Sequence, residues 1–170
     1  MSTAAEIEAL RASMRAAAPS GRGNYIEDGQ HLLEIEKCFC KRTQIDGRFK
    51  ETYICEFKVL ASTNPTHEPG STRSYAENPE NAGWMGRWKS FLAAAAGLDP
   101  DLKLSIQDED TISDMIAALR YEEFRNSKGW PENFLRSRQV KCEGTPGKSR
   151  GGTPITNKKW TAYVAPPVAA

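Results

Sequence analysis

The stretch that decides the fold is His31–Leu60, HLLEIEKCFCKRTQIDGRFKETYICEFKVL. Its first part alternates. Leu33, Ile35 and Phe39 fall on one side of an extended chain, and Glu34, Glu36, Cys38 and Cys40 on the other, the pattern of a half-buried strand. Gln44-Ile45-Asp46-Gly47 follows, and Asp-Gly suits the two positive-φ positions of a tight hairpin turn. A second run, Phe49 to Leu60, alternates again. Tyr53, Cys55, Phe57 and Val59 face one way, and Thr52, Ile54, Glu56, Lys58 and Leu60 the other. The stretch therefore predicts a long antiparallel hairpin.

Upstream, residues 3–17 predict a short helix with Ile7, Leu10 and Met14 at helical spacing. Ser2 or Thr3 caps its start, and Pro19-Ser20-Gly21 ends it. An arm packed on the body is the expectation, with a self-association arm as the alternative. Downstream, a polar loop runs from Ala61 to Pro69, and Ser71 to Tyr75 is a short third strand. Residues 81–97 change period: Trp84, Trp88, Phe91, Leu92 and Ala95 recur at helical spacing, and Gly97 is a C-terminal stop. The two tryptophans are read as core. Residues 99–110 read as an acidic link.

A second helix is predicted from Thr111 to Arg125, with Ile112, Met115, Ile116 and Leu119 as its apolar stripe. The acids Asp108, Glu109, Asp110 and Asp114 near its start and Arg120 and Arg125 near its end complement the helix dipole. Gly129-Trp130-Pro131 breaks it. A strand over Arg138–Glu143, a long flexible basic loop over Gly144–Pro154 and a last strand over Lys158–Val164 complete the pattern. The order is helix, three strands, two helices, two strands. It predicts an α+β, mainly β fold: a five-stranded OB-fold barrel with a helical insertion between strands 3 and 4. The organisation expected is an N-terminal helical arm (1–21), the barrel domain (22–164) and a short neutral tail (165–170).

At 170 residues the chain is long enough for one domain. No apolar run approaches the ~20 residues of a membrane span. Met1 to Ala18 lacks the basic start and apolar core of a secretory signal, so a cytoplasmic protein with no membrane partner is expected. Cys38, Cys40, Cys55 and Cys142 read as reduced thiols, since C-x-C plus two distant cysteines is a poor zinc pattern. No cofactor is expected: the GKSRGG run lacks the strand-to-helix setting of a P-loop, and neither His31 nor His67 adjoins a nucleophile motif.

Charge carries the functional reading. Residues 37–50 hold Lys37, Lys41, Arg42, Arg48 and Lys50 against Asp46, a local charge of +4. Residues 136–159 hold seven cations against Glu143, a local charge of +6. The whole chain is only +1, so the remainder sums to −9. In an OB-fold barrel these two segments flank the loops joining strands 1–2 and 4–5, which with one face of the barrel bind oligonucleotides. A positive groove on an acidic body suits a single strand of phosphates.

The run GNYIEDGQHLLEIEKCFCKRTQIDGRFKETYICEFKVLASTNPTHEPGSTRSY adds a resemblance. With the early Gly-x-Tyr-Ile, the basic hairpin, the V-L-x-S end of strand two, Pro-Gly before strand three, WKSFLAAAAGL and KCEGTPGKSRGGTPITNKKW, the chain resembles small OB-fold single-stranded DNA-binding proteins of tailed bacteriophages. The resemblance covers roughly residues 23–164. It implies a non-enzymatic protein that coats single-stranded DNA during phage replication or recombination, in the host cytoplasm, with phage replication or recombination proteins or further copies of itself as partners. One departure stands out: the chain ends APPVAA, without the acidic tail many such proteins use to recruit partners.

Binding a strand without sequence preference needs cations for phosphates and flat side chains for bases. The candidate cations are Lys41, Arg42, Arg48 and Lys50 around the first turn, Arg73 on strand three, and Lys148, Arg150, Lys158 and Lys159 around the second loop. The candidate aromatics are Phe49, Tyr53, Tyr75, Trp160 and Tyr163. Parity leaves Tyr53 and Trp160 open between core and stacking platform. Tyr75 and Phe49 are the better stacking candidates, beside polar neighbours at strand ends. Two other classes remain. Asp46 with Glu56-Phe57-Lys58 has the outline of a metal-dependent nuclease, an acid followed by E-x-K. A structural or interaction protein with an OB-like barrel would instead bury the basic loops in a protein interface.

Overall fold

The computed structural model describes residues 3–16, 25–101 and 103–163. Helix α1 (Ala4–Ala16) precedes β1 (Gly29–Ile45), β2 (Arg48–Ser62) and β3 (Thr72–Glu77). Then come α2 (Trp84–Ala95), α3 (Ile106–Arg120), α4 (Glu122–Ser127), β4 (Gln139–Lys148) and β5 (Pro154–Ala162). The five strands form one antiparallel sheet in the order β3-β2-β1-β4-β5. The fold is α+β.

The β1–β2 hairpin turns where Asp-Gly predicts, with Asp46 at φ 51° and Gly47 at φ 76°. Ile45 pairs with Arg48, leaving a two-residue loop. One detail of β1 departs from simple alternation. Ile35 pairs with Phe57 and Lys37 with Glu56, so Glu36 is an extra residue, a β-bulge. Beyond it the faces exchange. Leu33 and Ile35 are buried before the bulge and Cys38 after it, whereas Phe39, expected beside Leu33, turns outward beneath Lys37 Nζ at 4.8 Å. In β2 the expected face holds: Tyr53, Cys55, Phe57 and Val59 are all buried.

Helix α2 closes the core. Trp88, Phe91 and Leu92 have no exposed surface, and Ala93, Ala94 and Ala95 let the strands approach its last turn. Gly97, at φ 81°, ends it in a Schellman motif: Leu98 N–H donates to the Ala93 carbonyl at 2.9 Å and Gly97 N–H to Ala94 at 3.0 Å. Helix α3 starts five residues before the expected Thr111. Ser105 Oγ accepts from Asp108 N–H at 3.1 Å, so part of the acidic link is its first turn. α4 ends where Gly129, at φ 70°, precedes Trp130-Pro131.

The sheet does not close into a hydrogen-bonded ring, so the element order expected for a five-stranded barrel is present as an open antiparallel sheet. β3 and β5 are its two edges. Their side chains meet, with the Tyr75 and Trp160 ring centroids 4.9 Å apart. The lead-in Tyr25–Asp28 occupies part of the seam between them. Tyr25 bridges to Ser74 on β3, and Asp28 accepts from the Thr156 hydroxyl on β5 at 3.0 Å. Gly144 lets this segment lie flat on β4, since a Cβ there would collide with the Glu27 carbonyl oxygen.

Two buried histidines pin the lead-in. The rings of His31 and His67 stack at 4.6 Å. His31 Nε2–H donates to the Glu27 carbonyl at 2.8 Å, and Glu27 N–H donates to His67 Nε2 at 3.0 Å. His67 Nε2 must therefore carry no proton. Burial, and then the charges of Arg73 and His31, push its pKa from 6.5 down to about 4. A depressed pKa means that the unfolded chain binds the proton first. The His67 contribution is therefore complete above about pH 6.5 and is lost as pH falls to about 4, at most about 3 kcal/mol. Urea denaturation from pH 7.5 to pH 4 is expected to show this loss in the native chain and a shallower one in His67→Gln; equal slopes would contradict it.

α1 touches no other helix or strand among the described residues, which corrects the expectation of an arm packed on the body. No helix among the described residues is long and apolar enough to cross a membrane.

Candidate nucleic-acid interface

Both hairpins run past the core as two-stranded arms. β3 pairs with β2 only over Tyr53–Lys58, and β4 pairs with β1 only over Gly29–Glu34. Beyond Tyr53, residues 41–52 therefore stand as a free ribbon, roughly 15 Å long at ~3.3 Å per residue. Beyond Gly144, Thr145–Lys148 pair with Pro154–Asn157 as a second ribbon. This corrects the long flexible loop expected over Gly144–Pro154. Only residues 149–153 are turn, closed by Ser149 N–H on the Thr153 carbonyl and Gly152 N–H on the Ser149 carbonyl, each at 2.9 Å. Pro146 is tolerated in the strand because β1 no longer lies alongside it.

The predicted cations of the first arm divide between its faces. Paired residues of an antiparallel ladder share a face. Lys41, opposite Thr52, and Lys50, opposite Thr43, lie on the outer face, with Arg48 at the turn. Arg42 and Phe49 lie on the inner face, where the Arg42 guanidinium sits 5.1 Å from the Phe49 ring centroid. Phe49 is 66% exposed and offers its ring to solvent. Arg42 is less available than its sequence position implies. It pairs with Glu51 at 3.0 Å, and Arg120 from α3 holds the other carboxylate oxygen at 3.1 Å. That triad props the root of the arm against the helix.

The second arm divides similarly. Lys148 and Arg150 are exposed at its tip. Lys158 lies half-buried on the inner face, its Nζ 5.5 Å from the Tyr75 ring centroid, and burial lowers its pKa. Lys159 faces out and pairs with Asp101 at 3.1 Å.

Four other candidates are taken out of solvent. Tyr53 stacks on Trp84 at 5.4 Å, and its phenol is pushed up to about 12 by burial. Trp160 packs on Phe91 at 4.9 Å, and Tyr75 on Trp88 at 5.5 Å. All three rings are core and present no free face to a base. Arg73 is buried and donates to the Tyr25 and Thr66 carbonyls, so its charge binds the lead-in to the loop after β2. Tyr53 and Tyr75 lie on the β2–β3 face, and Trp160 on the β5 face, that meet α2; Arg73 shares the face of Tyr75 but is held by the lead-in and the loop after β2. Tyr163 lies beside Lys141, whose Nζ is 5.8 Å from its centroid.

Beside the second arm lies a cleft of about 860 Å³, bounded by Tyr75–Glu77 of β3, Glu80–Ala82, and Arg150 and Lys158 of that arm. Its floor is a network the sequence did not announce. Glu77, nearly buried, accepts from the Tyr75 hydroxyl at 2.7 Å and from Arg87 at 2.8 and 3.1 Å. A smaller pocket of about 510 Å³ under the first turn, lined by Arg48, Phe49 and Lys50, shares Glu80 with this cleft. The two arms thus flank one loop. No period or motif singles out Arg87, and Arg120 reads only as a helix-end cation; both act through contacts between distant elements.

No family model matches the chain, and no curated protein matches it. No cluster of three or more metal-ligating side chains occurs among the described residues. Asp46 and Glu56, paired in the nuclease alternative, are eight residues of extended strand apart beyond the turn, about 25–30 Å, and do not share an ion.

Proposed function

We propose that this protein binds single-stranded DNA without strong sequence preference and coats it, as a non-enzymatic accessory of phage DNA replication or recombination in the host cytoplasm. In this reading the curled sheet is a partly open OB-type barrel, with α2 closing its base and the lead-in filling part of its seam. The observation that carries it is the pair of cationic arms flanking the Glu80 loop, one of them bearing an exposed aromatic ring under an arginine. Lys41, Arg48, Lys50, Lys148 and Arg150 take phosphates, and Phe49 takes a base. Binding is passive: counterions leave the strand, and bases stack where they meet a ring.

Phe49→Ala tests the stacking step. Loss of one base contact costs about 1–3 kcal/mol, so affinity for a dT oligonucleotide is expected to fall about 5- to 150-fold. The melting temperature should hold, since the ring is 66% exposed. Unchanged affinity would remove Phe49 from the interface.

A further inference from the structure

We propose that Cys38 and Cys55 are a peroxide-reactive dithiol that closes to a cross-strand disulfide at the root of the first arm. The strand register places them for it. The β1–β2 ladder runs without a shift from its closing pair, Ile45–Arg48, to Cys38–Cys55. In a two-residue hairpin the closing pair exchanges hydrogen bonds, and bonded and non-bonded pairs alternate from there. Cys38–Cys55 is the eighth pair and therefore non-bonded, the kind whose Cα atoms lie closest, about 4.5 Å apart. A disulfide spans roughly 4.4–6.8 Å between Cα atoms. The two thiols already share a hydrogen bond.

The bulge at Glu36 makes the pairing possible. It turns Cys38 to the inner face that holds Cys55, where both are buried. Strict alternation from Leu33 and Ile35 would send Cys38 outward. The other two cysteines are opposed by different residues: Cys40 by Tyr53, and Cys142 by His31 on β1 and Trp160 on β5. All four are free thiols in the resting chain. Within the pair, Cys38 keeps 7% of its surface and Cys55 none. Burial, and then the hydrogen bond with Cys38, push the Cys55 pKa up and hold its proton. Cys38 therefore meets the oxidant, and Cys55 resolves the product.

With hydrogen peroxide as the oxidant, the Cys38 thiolate attacks one peroxide oxygen. An S–O bond forms, the O–O bond breaks, and the departing hydroxide takes up a proton as water. The Cys55 sulfur then attacks the Cys38 sulfenic acid. The S–S bond forms, the S–O bond breaks, and the leaving hydroxide carries off the Cys55 proton as a second water. Two thiols lose two electrons, and one peroxide gains them. Burial slows the first step, so an excess of peroxide is the probe. The bond ties β1 to β2 just inside Cys40–Tyr53, where β3 stops and the free ribbon begins. None of this rests on the proposed function.

Treating the folded full chain with excess hydrogen peroxide, blocking the remaining thiols and mapping the unreduced digest by mass spectrometry tests it. The Cys38 and Cys55 peptides are expected to be linked, with the chain lighter by two hydrogens. The melting temperature should rise by about 5–10 °C and fall back when dithiothreitol reopens the bond. Cys55→Ala should form no link and leave a Cys38 sulfenic acid that dimedone captures, whereas Cys38→Ala should leave Cys55 a thiol. Cys38 and Cys55 that both stay free to be blocked would overturn the proposal. So would a link from either to Cys40 or Cys142, a link that leaves the melting temperature unchanged, or a Cys38→Ala chain whose Cys55 is oxidised. Failure to bind DNA, by contrast, would leave this result untouched.

Discussion

Replacing Lys41, Arg48 and Lys50 together with alanine is expected to weaken binding to a dT oligonucleotide about one hundredfold at low salt, on the order of 1 kcal/mol per charged contact. The salt slope should flatten by about 2, at about 0.7 per phosphate contact on a single strand. These three residues form the outer face and turn of the first arm, where Lys41 and Arg48 are exposed and Lys50 half-buried. None of them enters an ion pair among the described residues. Their loss therefore removes charge without disturbing the core. Arg42→Ala makes the contrast: its guanidinium is already spent on Glu51, so the strand-binding loss should be smaller and some stability should go with it. A triple variant with native affinity and slope would exclude the first arm as a phosphate clamp.

The largest stability loss is expected at Trp88. The ring has no exposed surface and packs on Tyr53, Tyr75 and Phe91 with centroids 5.6, 5.5 and 5.0 Å away. Trp88→Ala leaves a cavity where α2, β2 and β3 meet and should cost about 3–5 kcal/mol. Trp88→Phe keeps most of the aromatic packing and removes an indole N–H that has no acceptor among the described residues, so it should cost clearly less. Urea denaturation of the three proteins measures both steps. Equal stabilities for Ala and Phe would mean that this site is not the centre of the core.

The hairpin, its Asp-Gly turn, the period change into α2 and the Gly97 stop were legible because each rests on local chemistry. What could not be read depended on partners distant in sequence. The bulge at Glu36 exchanges the faces of β1, and a single extra residue leaves no mark on composition. Tyr53, Tyr75 and Trp160 pass for stacking platforms until α2 is laid against their strands. The Gly144–Pro154 run has the composition of a loop, yet its first half is strand, because β5 supplies the partner and Pro146 sits where β1 has ended. The cations were found by charge alone. Which are free and which are spent, as Arg42 on Glu51, Lys159 on Asp101 and Arg73 on two carbonyls, appears only in the folded chain.

The most direct test is to titrate a fluorescent dT oligonucleotide of about 20–30 residues, long enough to cross both arms, with the full chain at low and moderate salt, beside duplex DNA and RNA of equal length. Binding is expected to be tight, to prefer the single strand and to weaken steeply as salt rises. No binding at low salt, or affinity for the duplex equal to that for the single strand, would contradict it.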